Sequence, residues 1–161
     1  MNADPEVMEF FPRTYTYEET AASVARFEAC FEKNGYCFYA TERLDTGRFV
    51  GFIGISLATF DASFTPCTEI GWRIIRTEWG QGFATEGAIR CLQYAFEELK
   101  LTNIFSFTAT QNKRSENVMR KIGMKKHGEF LHPALPEGHV LQKHVLYHID
   151  AESFGAVNRG L

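Results

Sequence analysis

The sequence predicts an α/β protein of the α+β kind, with a mixed, mostly antiparallel sheet flanked by helices. Three observations carry that expectation. Strand-like runs at 36–42 ("YCFYATE") and 49–57 ("FVGFIGISL") follow one another across the short "RLDTG", which is hairpin spacing. A third strand at 68–75 is separated from a fourth at 103–110 by a long helical stretch, as in a β-α-β unit with a parallel strand pair. The whole order reads α β β β α β α β β, so hairpin strands come first and the crossover follows. With 161 residues and 45% hydrophobic content, the chain has material for one domain over 1–161 and a sizeable core.

Each element has a local reason. "TYEE" is a capping box, with Thr16 as N-cap and Glu19 three residues on, and the helix that it opens stops at Asn34-Gly35. Gly51 and Gly54 inside the second strand predict a bulge or a close backbone approach. "TEIGWRII" is aromatic and β-branched, as a buried strand is. From Ala84 to Leu99 apolar residues recur at helical spacing. "NIFSFTAT" alternates in part and reads as a strand. "NKRSENVMRKIGM" reads as a short helix ending at Gly123, with Ser115 a suitable N-cap. Strands near 125–131 and 143–149 close the order, separated by "HPALPEGH".

Composition removes several function classes. A net charge of −3 without any Lys/Arg block argues against nucleic acid or an anionic membrane surface as partner. There is no apolar run near the roughly 20 residues that span a bilayer, and the acidic N-terminus is unlike a signal peptide. Cys30, Cys37, Cys67 and Cys91 lack metal-site spacing and read as free thiols, which points to a cytoplasmic protein. The five histidines crowd the C-terminal third without an i, i+4 pair beside an acid, so no metal is expected. His132 or His139, between the last strands, could instead touch a substrate.

The informative stretch is "WGQGFATEG" at 79–87, which joins the third strand to the long helix. A dinucleotide fold needs G-x-G-x-x-G early in an all-parallel array, and a nucleoside-triphosphate loop needs Gly-Lys-Ser/Thr; neither is present. A purely structural turn remains possible. The other reading is a diphosphate cradle, because unpaired N–H groups and the dipole at a helix N-terminus favour an anion.

These residues resemble the acyl-CoA signature of the Gcn5-related N-acetyltransferases (GNAT), Arg/Gln-x-x-Gly-x-Gly/Ala. Laid on this chain it covers Trp79 to Ala84, with Gly82 and Ala84 at the small positions and Trp79 at the usual Arg/Gln position. "WGxGxATE" is similar to the branch of ribosomal-protein N-terminal acetyltransferases. "NKRSENVMRKIGMKKHG" matches that branch's N-x-x-S-x-x-v-x-x-K-x-G-F segment with Met124 for Phe, and "DPEVMEFFP" resembles the segment after the family's first helix. The likeness spans residue 2 to about 149.

The resemblance implies a GNAT fold, acetyl-CoA as cosubstrate and a primary amine as acceptor. Amides from Gln81 through Gly82, Phe83 and Ala84 to Thr85 would face the diphosphate, with Gly80 keeping the approach open. Backbone groups of Arg73, Ile74 and Ile75 would meet the pantetheine amides and the acetyl carbonyl, and Asn112 and Asn117 would line the pantetheine arm. For Asn117 a solvated helix position is equally open. An attacking amine must be neutral, yet a lysine amine is protonated at pH 7, so a base is needed. Glu69, about 13 Å along the strand from Arg73, would serve through water; a solvated or Arg-paired carboxylate is the alternative. The tyrosine that many members use as acid corresponds to Met119, leaving Ser115 or an unaided thiolate.

Two departures bear on function. The family's usual first strand and helix have no counterpart before "DPEV", so strand 36–42 is expected at a sheet edge, with homodimer formation along it. Trp79 and Met119 also leave open a non-catalytic acyl-CoA-binding module.

Overall fold

The computed structural model of the chain describes residues 1–158. Helix α1 (Tyr17–Asn34) opens as its capping box predicts: Thr16 Oγ1 accepts from Glu19 N–H at 3.2 Å while Glu19 Oε2 accepts from Thr16 N–H at 2.9 Å. It ends at Gly35, whose N–H donates to Phe31 O at 2.7 Å. Strands β1 (Phe38–Glu42), β2 (Phe49–Ala58) and β3 (Cys67–Ile74) form an antiparallel meander. A 3₁₀ turn (Arg76–Glu78) leads to α2 (Phe83–Gln93), then come β4 (Asn103–Ala109), α3 (Lys113–Lys121), β5 (Lys125–Leu131), β6 (Lys143–Asp150) and α4 (Ala151–Asn158).

The six strands lie in the order β1-β2-β3-β4-β6-β5, so β1 occupies one edge. The β-α-β crossover makes β3 and β4 parallel, as predicted, but a single pair joins them, Glu69 opposite Phe105.

Packing follows from the strand alternation. Ile53, Ile55, Ile70 and Ile74 face α2, where Ala88 and Leu92, with Ala95 just beyond the helix, meet them; all are buried. Burying each such large side chain contributes about 1.5–3 kcal/mol. The other face of β1–β3 carries α1, whose Phe27 ring packs edge-on against Phe38 at 5.2 Å and Phe52 at 5.3 Å. Gly51 and Gly54 are close-approach positions: an added Cβ would lie 2.0 Å from Arg73 O and 2.2 Å from Cys37 O respectively.

Two local expectations need correction. The helix after the glycine turn is α-helical only to Gln93 and finishes in a π turn, Tyr94–Glu98, in which Leu99 N–H reaches back to Tyr94 O at 3.1 Å. The N-cap of α3 is Asn112, not Ser115: Asn112 Oδ1 accepts from Ser115 N–H at 3.2 Å.

Candidate active site

Beyond the Glu69–Phe105 pair, β3 and β4 separate into a fork. Ser106 Oγ donates to Ile70 O across its closed end at 2.9 Å. On the other edge of β3, Ile75 N–H donates to Val50 O at 2.8 Å. Backbone groups along a strand alternate between its two neighbours. Ile70, Trp72 and Ile74 therefore present theirs to the fork, whereas Arg73 and Ile75 bond β2. The predicted backbone trio is thus divided: Ile74 faces the fork, and Trp72, which the sequence did not single out, takes the place of Arg73 and Ile75. Ile74 O is itself taken by Trp79 Nε1 at 2.9 Å. That bond explains why a tryptophan suits the usual Arg/Gln position, since it pins the turn to the strand.

A cavity of about 1240 Å³ fills the fork and continues onto the α1 face. At the open end of the fork sits the glycine turn. Gly80 and Gly82 have φ of 75° and 90°, in the left-handed region where a Cβ is strained, and Gly82 is the N-cap of α2. The first helical bond runs from Glu86 N–H to Gly82 O at 3.0 Å. None of the N–H groups from Gln81 to Thr85 has an acceptor among the described residues. A brace holds the turn in shape: Arg43 Nη1 donates to the buried Glu78 at 3.1 Å and to Gln81 Oε1 at 3.2 Å, while Gln81 Nε2 donates to Glu78 at 3.0 Å. The Gln81 side chain is therefore occupied and only its amide is available.

Glu69 lines the closed end of the same cavity. It is half-buried and has neither ion pair nor side-chain hydrogen bond among the described residues, so the Arg-paired alternative is set aside and the carboxylate faces the cavity. Burial disfavours the carboxylate and pushes the pKa up to about 7.

The opposite wall comes from α3. Asn112 spends its side chain locally, Oδ1 on the cap and Nδ2 donating to Thr108 Oγ1 at 3.0 Å. Ser115, relieved of capping, lines the cavity, and its hydroxyl has no partner among the described residues. Asn117 is exposed at the rim and accepts from Arg120 Nη2. Met119 is buried in the core. The structure thus gathers Glu69, Ile74, Gly80, Gly82, Phe83, Ala84, Thr85, Asn112, Ser115 and Asn117 around one cavity, with Ile75 and Gln81 outside its lining.

On the α1 face the N-terminal segment covers the end of β3. There the side chain of Arg73 enters the cavity, beside Phe11 and Tyr15. His132 lines the cavity but His139 does not, accepting instead from Leu141 N–H at 3.1 Å. The His132 ring lies 4.6 Å from Phe60 and 5.0 Å from His144 in a cluster with Phe107 and Phe130, and burial lowers both imidazole pKa values. Sequence reading missed the site roles of Trp72 and of the Arg73 side chain. Strand parity would have exposed the first; the second depends on aromatic residues far away in sequence.

The family profile described as "Acetyltransferase (GNAT) domain" matches residues 1–125. An uncharacterised protein YkkB of Bacillus subtilis is 31% identical over 121 residues, covering 75% of this chain and 69% of its own length. The FsC-acetyl coenzyme A-N(2)-transacetylase of Aspergillus fumigatus is 33% identical over 152 residues, covering 87% of this chain and 64% of its own length. The chain therefore spans about two thirds of these curated relatives. Among solved structures, an acetyltransferase (GNAT family) from Bacillus anthracis superposes with a TM-score of 0.75 at 27% identity, over 94% of this chain and 85% of that one. The splayed strands, the glycine corner and these likenesses agree, and the chain belongs to the GNAT acetyltransferase family.

Proposed function

We propose that the protein transfers acetyl from acetyl-CoA to a primary amine by direct attack in a ternary complex. One observation carries the reading: among the described residues, five consecutive amides, Gln81 to Thr85, lack protein acceptors at one end of a cavity whose other end holds an unpaired, half-buried Glu69. Family membership and the transacetylase name of the Aspergillus relative support it.

The residues divide the work. The N–H groups at the α2 terminus would hold the diphosphate, where the helix dipole favours negative charge. Arg76 and Arg114, with guanidinium carbons 4.9 Å and 4.3 Å from the Trp79 ring centroid, flank that corner, each paired with a carboxylate, Glu6 and Glu9 respectively. The thioester supplies an electrophilic carbonyl and a sulfur leaving group. Glu69 takes a proton from the ammonium through water, freeing the nitrogen lone pair for attack. A fork-facing N–H, from Trp72 or Ile74, holds the carbonyl oxygen as it gains charge. Ser115 gives its hydroxyl proton to the departing sulfur and regains one from solvent, while the attacking nitrogen releases its second proton through the same water path.

A protein α-amine or a small-molecule amine can serve as acceptor in this scheme. The thiols of Cys30, Cys37, Cys67 and Cys91 are free, which suits a cytoplasmic setting. The exposed edge of β1 suits homodimer formation, and a sedimentation run that finds only monomer at high concentration would count against it.

The test is thiol release from acetyl-CoA over an amine panel, comparing the wild-type chain with Glu69→Gln. Turnover that the substitution abolishes supports the transferase. Stabilisation by CoA without turnover of any amine would leave the alternative, a non-catalytic acyl-CoA-binding module, to which the Trp79 and Met119 departures point. No stabilisation by CoA would sink both.

A further inference from the structure

Arg73 is a half-buried cation without an anion among the described residues. Its Nε is the one buried side-chain nitrogen or oxygen without a hydrogen-bond partner among the described residues. The guanidinium is enclosed by aromatic rings, with its carbon 4.0 Å from the Phe11 centroid, 5.1 Å from Phe52 and 5.8 Å from Tyr15. Its single polar contact is neutral: Nη1 donates to Asn2 Oδ1 at 2.9 Å, and Asn2 is held in that orientation by its own bond to Thr20 Oγ1 at 3.2 Å. Neighbouring arginines are treated differently. Arg43 pairs with Asp45 and Glu78, Arg76 with Glu6, and Arg114 with Glu9.

Taking a guanidinium out of water is unfavourable unless a charge or full hydrogen bonding compensates. Burial does pull the Arg73 pKa down, to about 10, which still leaves the group charged at neutral pH. The cation lines the cavity that contains Glu69, and the two side chains share a face of β3, four residues or about 13 Å apart. That is the α1 face, since Arg73 pairs with Phe52 and Phe27 packs there. The amides of the glycine turn belong to α2 on the opposite face. So the unpaired charge points to the acceptor side of the site, not to the diphosphate.

We infer that Arg73 binds a carboxylate on the acceptor, which makes the substrate an amino-acid-like amine and not a polyamine. The inference rests on the transferase reading above. The carboxylate meets the guanidinium through donors that have no protein acceptor, and the amine extends toward Glu69. Phe11, Tyr15 and Phe52 wall the carbon chain between them.

The experiment uses the full chain and matched acceptor pairs that differ only in the carboxylate: lysine against 1,5-diaminopentane, ornithine against 1,4-diaminobutane, and each amino acid against its carboxamide. Wild type should favour the carboxylate member roughly 10- to 100-fold in kcat/KM, mainly through KM, as a charge-assisted contact does. Arg73→Gln should bring each pair to near parity, Arg73→Lys should fall between, and CoA should stabilise all three proteins equally. Parity of the pairs in wild type overturns the inference even if Arg73→Gln fails to fold. A preference retained by Arg73→Gln also overturns it. Weaker CoA binding in Arg73→Gln with unchanged selectivity would assign Arg73 to the cofactor instead. If no amine turns over, the transferase reading fails separately. Stabilisation of wild type by the amino acids, absent in Arg73→Gln, then still decides the matter, and its absence rejects a carboxylate site.

Discussion

Glu69 is half-buried without a partner among the described residues, and that has consequences for both rate and stability. A carboxyl whose pKa lies at about 7 is half ionised at neutral pH, where proton transfer from an amine is best matched. The expected kcat/KM therefore rises with pH and levels off above about 7, and Glu69→Gln removes that ionisation and lowers the rate about 10²- to 10⁴-fold. The stability effect runs the other way. Folding raises the pKa above its ordinary 4.5, so the carboxyl does not burden the fold below 4.5 and increasingly does as pH rises through 7. Glu69→Gln should accordingly be more stable than wild type at pH 8 by roughly 3 kcal/mol, with the difference gone at pH 4. Thermal denaturation at the two pH values checks this. Glu69 was legible because its place in "TEI", ahead of the glycine turn, is local. The half-buried cation at Arg73 was not, because its cage comes from Phe11 and Tyr15, which only tertiary folding brings to β3.

The elements on either side of the cavity separate capping from chemistry. Asn112 caps α3, so Asn112→Ala should cost about 1 kcal/mol in thermal or urea unfolding, whereas Ser115→Ala should leave stability nearly unchanged and slow thiol release. Asn and Ser are both good caps, and with the two lying three residues apart the sequence reading settled on Ser115 where the structure uses Asn112. At the glycine turn, Gly82→Ala forces a Cβ into φ 90°, which costs roughly 1–2 kcal/mol and should weaken CoA in a binding titration. Capping boxes, hairpin spacing and apolar periodicity all act within a few residues, which is why α1 and the strands came out near their observed bounds. The π turn was invisible, since "YAFEEL" keeps helical spacing while its hydrogen bonds lengthen by one residue. Helix α4 carries a signal that could have been read: Asp150 Oδ1 accepts from Ser153 N–H at 2.7 Å, an N-cap pattern, and Phe154 packs 5.3 Å from Phe96.

At the scale of the whole molecule, the mixed sheet followed from connectivity, but the placement of β6 between β4 and β5 and the width of the β3–β4 gap did not. No residue pattern marks where two parallel strands stop pairing. If the gap and the α2 amides receive CoA, a concentration 100 times Kd should add about 2.7 kcal/mol to unfolding, a rise of roughly 5–10 °C in Tm for a chain of this size. A calorimetric scan with and without CoA measures it. The single rung between Glu69 and Phe105 has one more effect. It leaves the β1–β3 half and the β4–β6–β5 half joined along a seam that side-chain packing in the shared core closes, with almost no ladder of its own. A molecule lying along that seam acts as a splint, so it should slow amide hydrogen exchange in β4 and β6 as well as beside the glycines it touches.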